Sequence, residues 1–304
     1  GTPRASLCAA VRMRLMCIRD RADLVINIVF EPGGEAELIQ KATTQPASFD
    51  IYEQWTDSIR QLWQASVIQP IDTDRLSYWD EINALSKTGK IAPEANIGLG
   101  DAPHKILNIQ ADGSLGTEFT GKISFLPYVH NVDSFGYNTN AIKKGIPYET
   151  ESWSWLLDEQ YRGKVGIVNS PTIGIFDLGL AAESKGLINF NDMSDMTQTE
   201  IDGFFSILLD FKKQHHFAGF WNSVPQSIDY MRQGRVHLES MFSPAVSALN
   251  GDGIPVTYAA PREGYRAWHG VMCLSSECQG YVKAAGYDYM KWGPRGWAGA
   301  CGVR

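Results

Sequence analysis

The sequence predicts an α/β fold in two lobes, and three observations carry that expectation. Short apolar, β-branched runs alternate with stretches of helical period from Ala22 onward, the pattern of a sheet flanked by helices. The chain has 304 residues, a length that two medium domains fit better than a single sheet. Hydrophobic residues make up 44% and charged residues 20%, the balance of a folded chain rather than a disordered one.

The first strand of this reading is Leu24–Phe30, stopped by Pro32-Gly33-Gly34, with a helix over Glu35–Ala42 behind it. Phe49–Tyr52 is a second strand and Ser58–Gln64 a second helix, and Ile123–Val129 and Lys164–Val168 are further strands. Thr197 and Glu200 have capping-box spacing, in which each side chain satisfies the other's free backbone N–H. Ile201, Phe204, Phe205 and Leu208 then fall on one face, which predicts a helix over Thr199–Gln214. A helix over Pro225–Arg232 closes on Gly234 and leads into strand Val236–Met241. Pro244–Leu249 is a helix with proline near its start, and Gly251-Asp252-Gly253 turns into strand Val256–Ala259. Both ends stand apart. Arg12 and Arg14 interrupt the only candidate for the apolar core of a secretory signal, so residues 1–21 read as an unstructured leader. Trp292–Arg304 is rich in Gly and Trp without a helix terminator, and residues 293–304 read as a truncated segment.

Several function classes drop out. A net charge of −7 weighs against a broad nucleic-acid footprint, which needs a clustered excess of Lys and Arg. No apolar run approaches the ~18 residues of a membrane-spanning helix. Gly98-Leu99-Gly100 runs into Asp101-Ala102-Pro103 without the third glycine of a dinucleotide fingerprint. Neither a Gly-x-Ser-x-Gly elbow nor a His-Glu-x-x-His pair occurs. His215 and His216 are adjacent at the expected end of a helix, a poor chelate, and both read as a solvated helix end. Cys273 and Cys278 form either a disulfide or two buried thiols. No catalytic, metal or cofactor motif is present. The positive signal is aromatic: nine tryptophans, among them Trp55 and Trp268, most of which should serve packing. Rings at the carboxyl end of a strand can also box an organic cation, at ~0.5–2 kcal/mol per contact.

A series of motifs resembles the spermidine/putrescine (polyamine) type of bacterial extracellular solute-binding protein that serves ABC importers. They are Phe49-Asp50-Ile51-Tyr52, Ile68-Gln69-Pro70-Ile71-Asp72, and Leu126-Pro127-Tyr128 leading into Asp133-Ser134-Phe135-Gly136-Tyr137-Asn138. Ser152-Trp153-Ser154-Trp155, Glu239-Ser240-Met241-Phe242-Ser243-Pro244 and Pro261-Arg262-Glu263-Gly264 before Trp268 follow in order. The resemblance implies a two-lobed periplasmic-binding-protein fold (type II), each lobe a mixed sheet flanked by helices, with a ligand cleft between lobes. Residues 22–130 with 268–292 would form one lobe and residues 131–267 the other. It further implies a monomer without enzymatic activity, located in the periplasm, whose partners are a small-molecule ligand and the ABC permease subunits of the inner membrane. An enzyme on the same scaffold, or the binding subunit of a sensor, stays as the alternative.

The same resemblance marks binding positions. Trp55 and Asp57, in the loop expected after Phe49–Tyr52, fall where polyamine binders contact ligand, with Gln54 beside them. Phe242 stands at the position of a ring-stacking Trp, and Trp268 matches another. The family's amine-holding carboxylates fall on Pro171, Gly174 and Gly270, none of them acidic. An ammonium taken out of water without a partner costs several kcal/mol. Asp57, Glu53 or Asp133 would have to substitute, while His269 beside Gly270 would equally suit an anionic or neutral ligand.

Overall fold

The structure, a computed structural model, describes residues 35–95, 97 and 102–292. The strand expected at Leu24–Phe30, the leader, the Gly98-Leu99-Gly100 segment and residues 293–304 lie outside the described residues. In chain order, helix α1 (Glu35–Thr44) leads to strand β1 (Ile51–Trp55), helix α2 (Ile59–Gln64) and short strands β2 (Ile68–Gln69) and β3 (Ile71–Asp72). Helices α3 (Ala84–Thr88) and α4 (His104–Leu107) precede β4 (Asn108–Ile109), β5 (Leu115–Gly116) and β6 (Lys122–Ile123). The long strand β7 (Leu126–Asn138) follows, then β8 (Val165–Val168), α5 (Gly174–Ser184), α6 (Gln198–Lys213) and β9 (Phe217–Trp221). Helix α7 (Val224–Arg232), β10 (Leu238–Met241), α8 (Ser243–Gly251), β11 (Val256–Tyr258), β12 (Arg266–Ser275) and α9 (Gly280–Trp292) complete the order.

The described residues divide into two compact units, one up to His130 and from Trp268 onward, the other Asn131–Ala267. Strands β7 and β12 carry the chain from one to the other. In the first unit β12 pairs antiparallel with β1, from Ile51↔Leu274 to Trp55↔Gly270, and with β2. A separate antiparallel sheet runs in the order β3-β6-β4-β5. Tyr52, Ile59, Leu62, Phe125, Leu274, Tyr287 and Met290 belong to one buried core. Helix α9 is tied in by polar contacts at both ends. Lys283 Nζ donates to Gln69 Oε1 (2.6 Å), and the hydroxyl of Tyr78 donates to the carbonyl of Met290 (2.5 Å).

In the second unit β7 lies between β10 and β11, antiparallel to both, while β10, β8 and β9 run parallel. Parallel neighbours cannot be joined by a tight turn, so helices α5 to α7 supply the crossovers. Two buried clusters hold the unit, one around Phe135, Trp153 and Phe204, the other around Trp221, Met231 and Leu249. Helix α6 starts at the capping box of Thr197 and Glu200, whose oxygen accepts from the Thr197 N–H at 2.7 Å. Gly234 ends the turn after α7 with φ at 66°, a left-handed conformation that glycine adopts without strain.

Several boundaries differ from the sequence reading. The strand expected at Phe49–Tyr52 is Ile51–Trp55, because pairing with β12 extends it to Trp55. The strand expected at Ile123–Val129 is split, with β6 ending at Ile123 and β7 running on to Asn138. Its second half is stabilised by partners on both sides that only the folded chain brings together. His216 is not a solvated helix end. Its ring is buried, with Nε2 2.9 Å from the carbonyl of Leu156, and only His215 stays outside. Cys273 and Cys278 are free, buried thiols rather than a disulfide. No helix among the described residues is long and apolar enough to cross a membrane.

One buried group in the second unit is costly. Glu239, central in β10, is fully buried, and neither carboxylate oxygen has a hydrogen-bond partner. Its methylene lies over Gly166 of β8, where an added methyl would sit 3.0 Å from Glu239 Cγ. Burial pushes the acid from 4.5 up to about 8; Ser227 on α7 favours ionisation without making a hydrogen bond of good geometry. Below pH 4.5 folded and unfolded chains both carry this proton, and the contribution to stability is intact. As pH rises from 4.5 towards about 8 only the unfolded chain releases it, so stability falls. The slope is about 1.4 kcal/mol per pH unit, ending where the folded acid also ionises. Urea unfolding of Glu239→Gln across that range should lose this slope; an unchanged profile would contradict the buried neutral acid.

Candidate functional site

In the first unit, β1 and β12 bring four of the expected residues to one end of their ladder. Trp55 is the last residue of β1 and sits opposite Gly270, and Gln54 pairs with Val271. The rings of Trp55 and Trp268 meet edge-to-face at 5.1 Å and 70°, and Trp55 stays 37% exposed, enough for a solute to reach it. Such a contact contributes ~0.5–1.5 kcal/mol beyond area burial and fixes both rings. Asp57 lies in the 3-10 turn after β1, not in an open loop, and its Oδ1 is buried without a hydrogen-bond partner. His269 is buried, its Nδ1 is also unpartnered, and its ring lies 5.8 Å from that of exposed His130. Burial, assisted by His130, pulls His269 down to about 4, so at neutral pH it is an uncharged imidazole.

Glu53 is committed elsewhere, accepting a 2.5 Å hydrogen bond from Tyr289. Gly270 is glycine for a steric reason. A methyl group there would lie 2.5 Å from Val129 Cγ1 and 3.3 Å from the Tyr128 ring. Beside this corner a recess of about 220 Å³ is lined by Tyr78, Glu81, Asn83, Ser86, Tyr128 and His130, with aliphatic neighbours. The sequence gives little sign of it, because of these residues only Tyr128 falls in a motif and they meet only through the fold.

The remaining two expected residues belong to the second unit. Phe242, half-buried ahead of α8, packs edge-on against Trp221 at 5.1 Å. Asp133 is not a free acid. Its Oδ2 accepts from Arg266 Nη2 at 3.1 Å, while Arg266 Nε donates to Asp177 Oδ1 at 2.7 Å. Burial pushes the Asp177 carboxyl up against the pull of the guanidinium; Arg266, although burial disfavours its charge, is raised by the two carboxylates. Tyr258 closes the cluster, its hydroxyl 3.0 Å from the Met241 carbonyl it donates to and 2.8 Å from the Ser134 N–H it accepts from. Gly174, another position where the resemblance places an acid, is also closed: a methyl there would come within 2.0 Å of the Val168 carbonyl oxygen. Pro171 is exposed. The sequence carried no signal for the Arg266 cluster, whose three charged members are 44 to 133 residues apart.

Among the described residues no group of three His, Cys, Asp or Glu stands together as a metal site. Cys273 is fully buried and its pKa is driven well up by desolvation, which keeps the thiol unreactive. The arrangement suits reversible binding through rings and a few polar groups. Two stability tests follow. Gly270→Ala should destabilise by about 1–3 kcal/mol through the Val129 overlap. Arg266→Met should cost about 3–5 kcal/mol by leaving two carboxylates buried without their cation. Denaturant midpoints read both, and a neutral result for either would remove that constraint.

Residues 21–293 match the family of bacterial extracellular solute-binding proteins. No curated protein matches the chain. Similar solved structures include an ABC transporter substrate-binding protein from Bradyrhizobium japonicum, 16% identical over 95% of this chain and 75% of that one, with a TM-score of 0.61. The spermidine/putrescine substrate-binding protein PotD of Streptococcus pneumoniae is 14% identical, over 93% of this chain and 74% of its own, with a TM-score of 0.60. MotA of A. tumefaciens B6, solved with glucopine, is 13% identical over 95% and 76%, with a TM-score of 0.61. At such identities the likeness is one of fold, the two-lobed α/β fold of periplasmic binding proteins. Both compact units lie within the family match, and the chain belongs to the bacterial extracellular solute-binding proteins.

Proposed function

We propose that this protein is the substrate-binding component of an ABC importer and that it captures a small polar organic amine. It would do so in the periplasm, as a monomer, and present the loaded form to the permease subunits of the inner membrane. The importer role is supported by the family match and by the substrate-binding proteins that share the fold. The cationic choice is carried by the state of two groups that could have received an anion. His269 is held neutral, and Arg266 is already neutralised by Asp133 and Asp177. Trp55 and Trp268 offer instead an aromatic wall, with the half-buried carboxylate of Asp57 two residues beyond Trp55, the complement of an ammonium group. Asp133 serves this reading as a partner of Arg266 rather than as a ligand contact. Gln54, His269 and Phe242 remain proposed contacts for the ligand's polar and apolar parts.

Thermal unfolding of the full chain against amines, amino acids, betaines and small anions tests the proposal. A solute at a hundred times its dissociation constant should add about 2.7 kcal/mol of stability. The shift is expected with an amine and should disappear in Trp268→Ala and Asp57→Asn. A shift with an anion alone would overturn the amine assignment and leave solute binding in place. Capture by lobe closure, which family membership supports, predicts a smaller radius of gyration in solution scattering once the solute is added.

A further inference from the structure

We infer that the recess of the first unit is a subsite for the ammonium end of a small aminated solute, with Glu81 as its counter-ion. The inference rests on the amine reading above and supplies the charge that the closed positions Gly174 and Gly270 do not. Of the acids that could replace them, Asp57 follows the Trp55–Trp268 corner, while Glu53 is bonded to Tyr289 and Asp133 to Arg266. Glu81, at the end of the 3-10 turn Trp79–Glu81, is exposed, and its carboxylate makes no hydrogen bond or ion pair among the described residues. It lines the recess beside Asn83 and Ser86.

The walls are held before any ligand arrives. Tyr78 is fixed through its hydroxyl to the Met290 carbonyl, and the backbone N–H groups of Glu81 and Ile82 donate to the carbonyls of Tyr78 and Trp79. Asn83 Oδ1 caps helix α3 by accepting from the Leu85 N–H at 2.7 Å, which leaves only its NH2 for a solute. Lys87, six residues further along, is directed at the carbonyls of Trp79 and Asp80 and the Trp79 ring rather than at Glu81. One carboxylate, one amide and the Ser86 hydroxyl thus belong to residues lining a single recess, the complement of an ammonium next to a hydrogen-bond acceptor. The volume of about 220 Å³ falls below the ~300–1,000 Å³ of drug-sized sites, which restricts the occupant to a small molecule. Tyr128 lines the recess and also flanks Gly270, so the recess and the Trp55–Trp268 corner share a wall. A solute with its ammonium at Glu81 can therefore lay its carbon chain towards the two indoles.

Calorimetric titration of the full chain with putrescine, and with 1,4-butanediol as its uncharged counterpart, tests this. Putrescine should bind and the diol should not. Glu81→Gln should weaken putrescine about ten- to hundred-fold, the loss expected for one charge-assisted hydrogen bond. Glu277→Gln, which removes an equal charge from an exposed position of the same unit, should leave affinity unchanged. Putrescine binding equally well to wild type and Glu81→Gln would overturn the subsite while the amine reading stands. Equal weakening in both variants would also overturn it, since the effect would then be net charge rather than a local contact. If wild type binds neither putrescine nor any amine of the thermal panel, the amine reading itself fails and the subsite falls with it.

Discussion

The clamp of Arg266 between Asp133 and Asp177 is the constraint on which the second unit and its chemistry depend. Asp133 and Arg266 sit on β7 and β12, each within three residues of the point where its strand leaves the unit. Asp177 belongs to α5, one turn into the helix, so a single guanidinium joins both departing strands to a crossover helix. Buried charges of this kind return little net stability, since desolvation offsets most of the Coulomb gain. Their effect is on registry. A strand slipped by one residue would bury one of these charges without its partner, at a cost of several kcal/mol.

The clamp also removes three charged groups from solute recognition. In the polyamine branch that the motifs resemble, carboxylates hold the ligand's amines, and this chain has Pro171, Gly174 and Gly270 there. The change at two of them is not a simple loss of charge. The Val168 carbonyl oxygen fills the space next to Gly174, and the Val129 side chain fills the space next to Gly270. Neighbouring backbone and strand packing have closed over both positions. Restoring an acid by one substitution would therefore meet an overlap before it met a ligand. On the amine reading, the aromatic contacts can stay where the family pattern marks them, while the counter-charge has to come from acids at other positions.

Much of the α/β pattern was readable because its signals are local. The capping box of Thr197 and Glu200, the helical period beyond it and Gly234 after α7 each act within a few residues of sequence, and each sits where the reading placed it. Errors arose where a distant partner decides the outcome. Strand β1 reaches Trp55 because β12, over 200 residues away, continues the ladder, and β7 runs past Val129 between β10 and β11. The place of His216 after a helix predicts a solvated ring, yet the Leu156 carbonyl draws it inward. The site was less legible for the same reason. Trp55 and Trp268 could be named from motifs, but the commitment of Asp133 to Arg266, the neutrality of His269 and the recess at Glu81 arise only from contacts across the fold.

Those contacts divide the polar groups of the two units differently. In the second unit the acids nearest Arg266 are consumed internally, and Glu239 is kept protonated in the core, so neither supplies a free negative charge at neutral pH. In the first unit Asp57 Oδ1 and His269 Nδ1 are buried without partners, as the Glu239 oxygens are in the second, and the exposed Glu81 carboxylate makes no bond among the described residues. A buried orphan of this sort costs about 1–3 kcal/mol in the empty protein. A solute that donates hydrogen bonds to it recovers that cost on binding, so the penalty becomes part of the affinity. An anion recovers none of it at a carboxylate and meets repulsion at both Asp57 and Glu81. On the amine reading, the first unit would sense the charge of the solute, and the direction of its preference would follow from which acceptors the fold has left without partners.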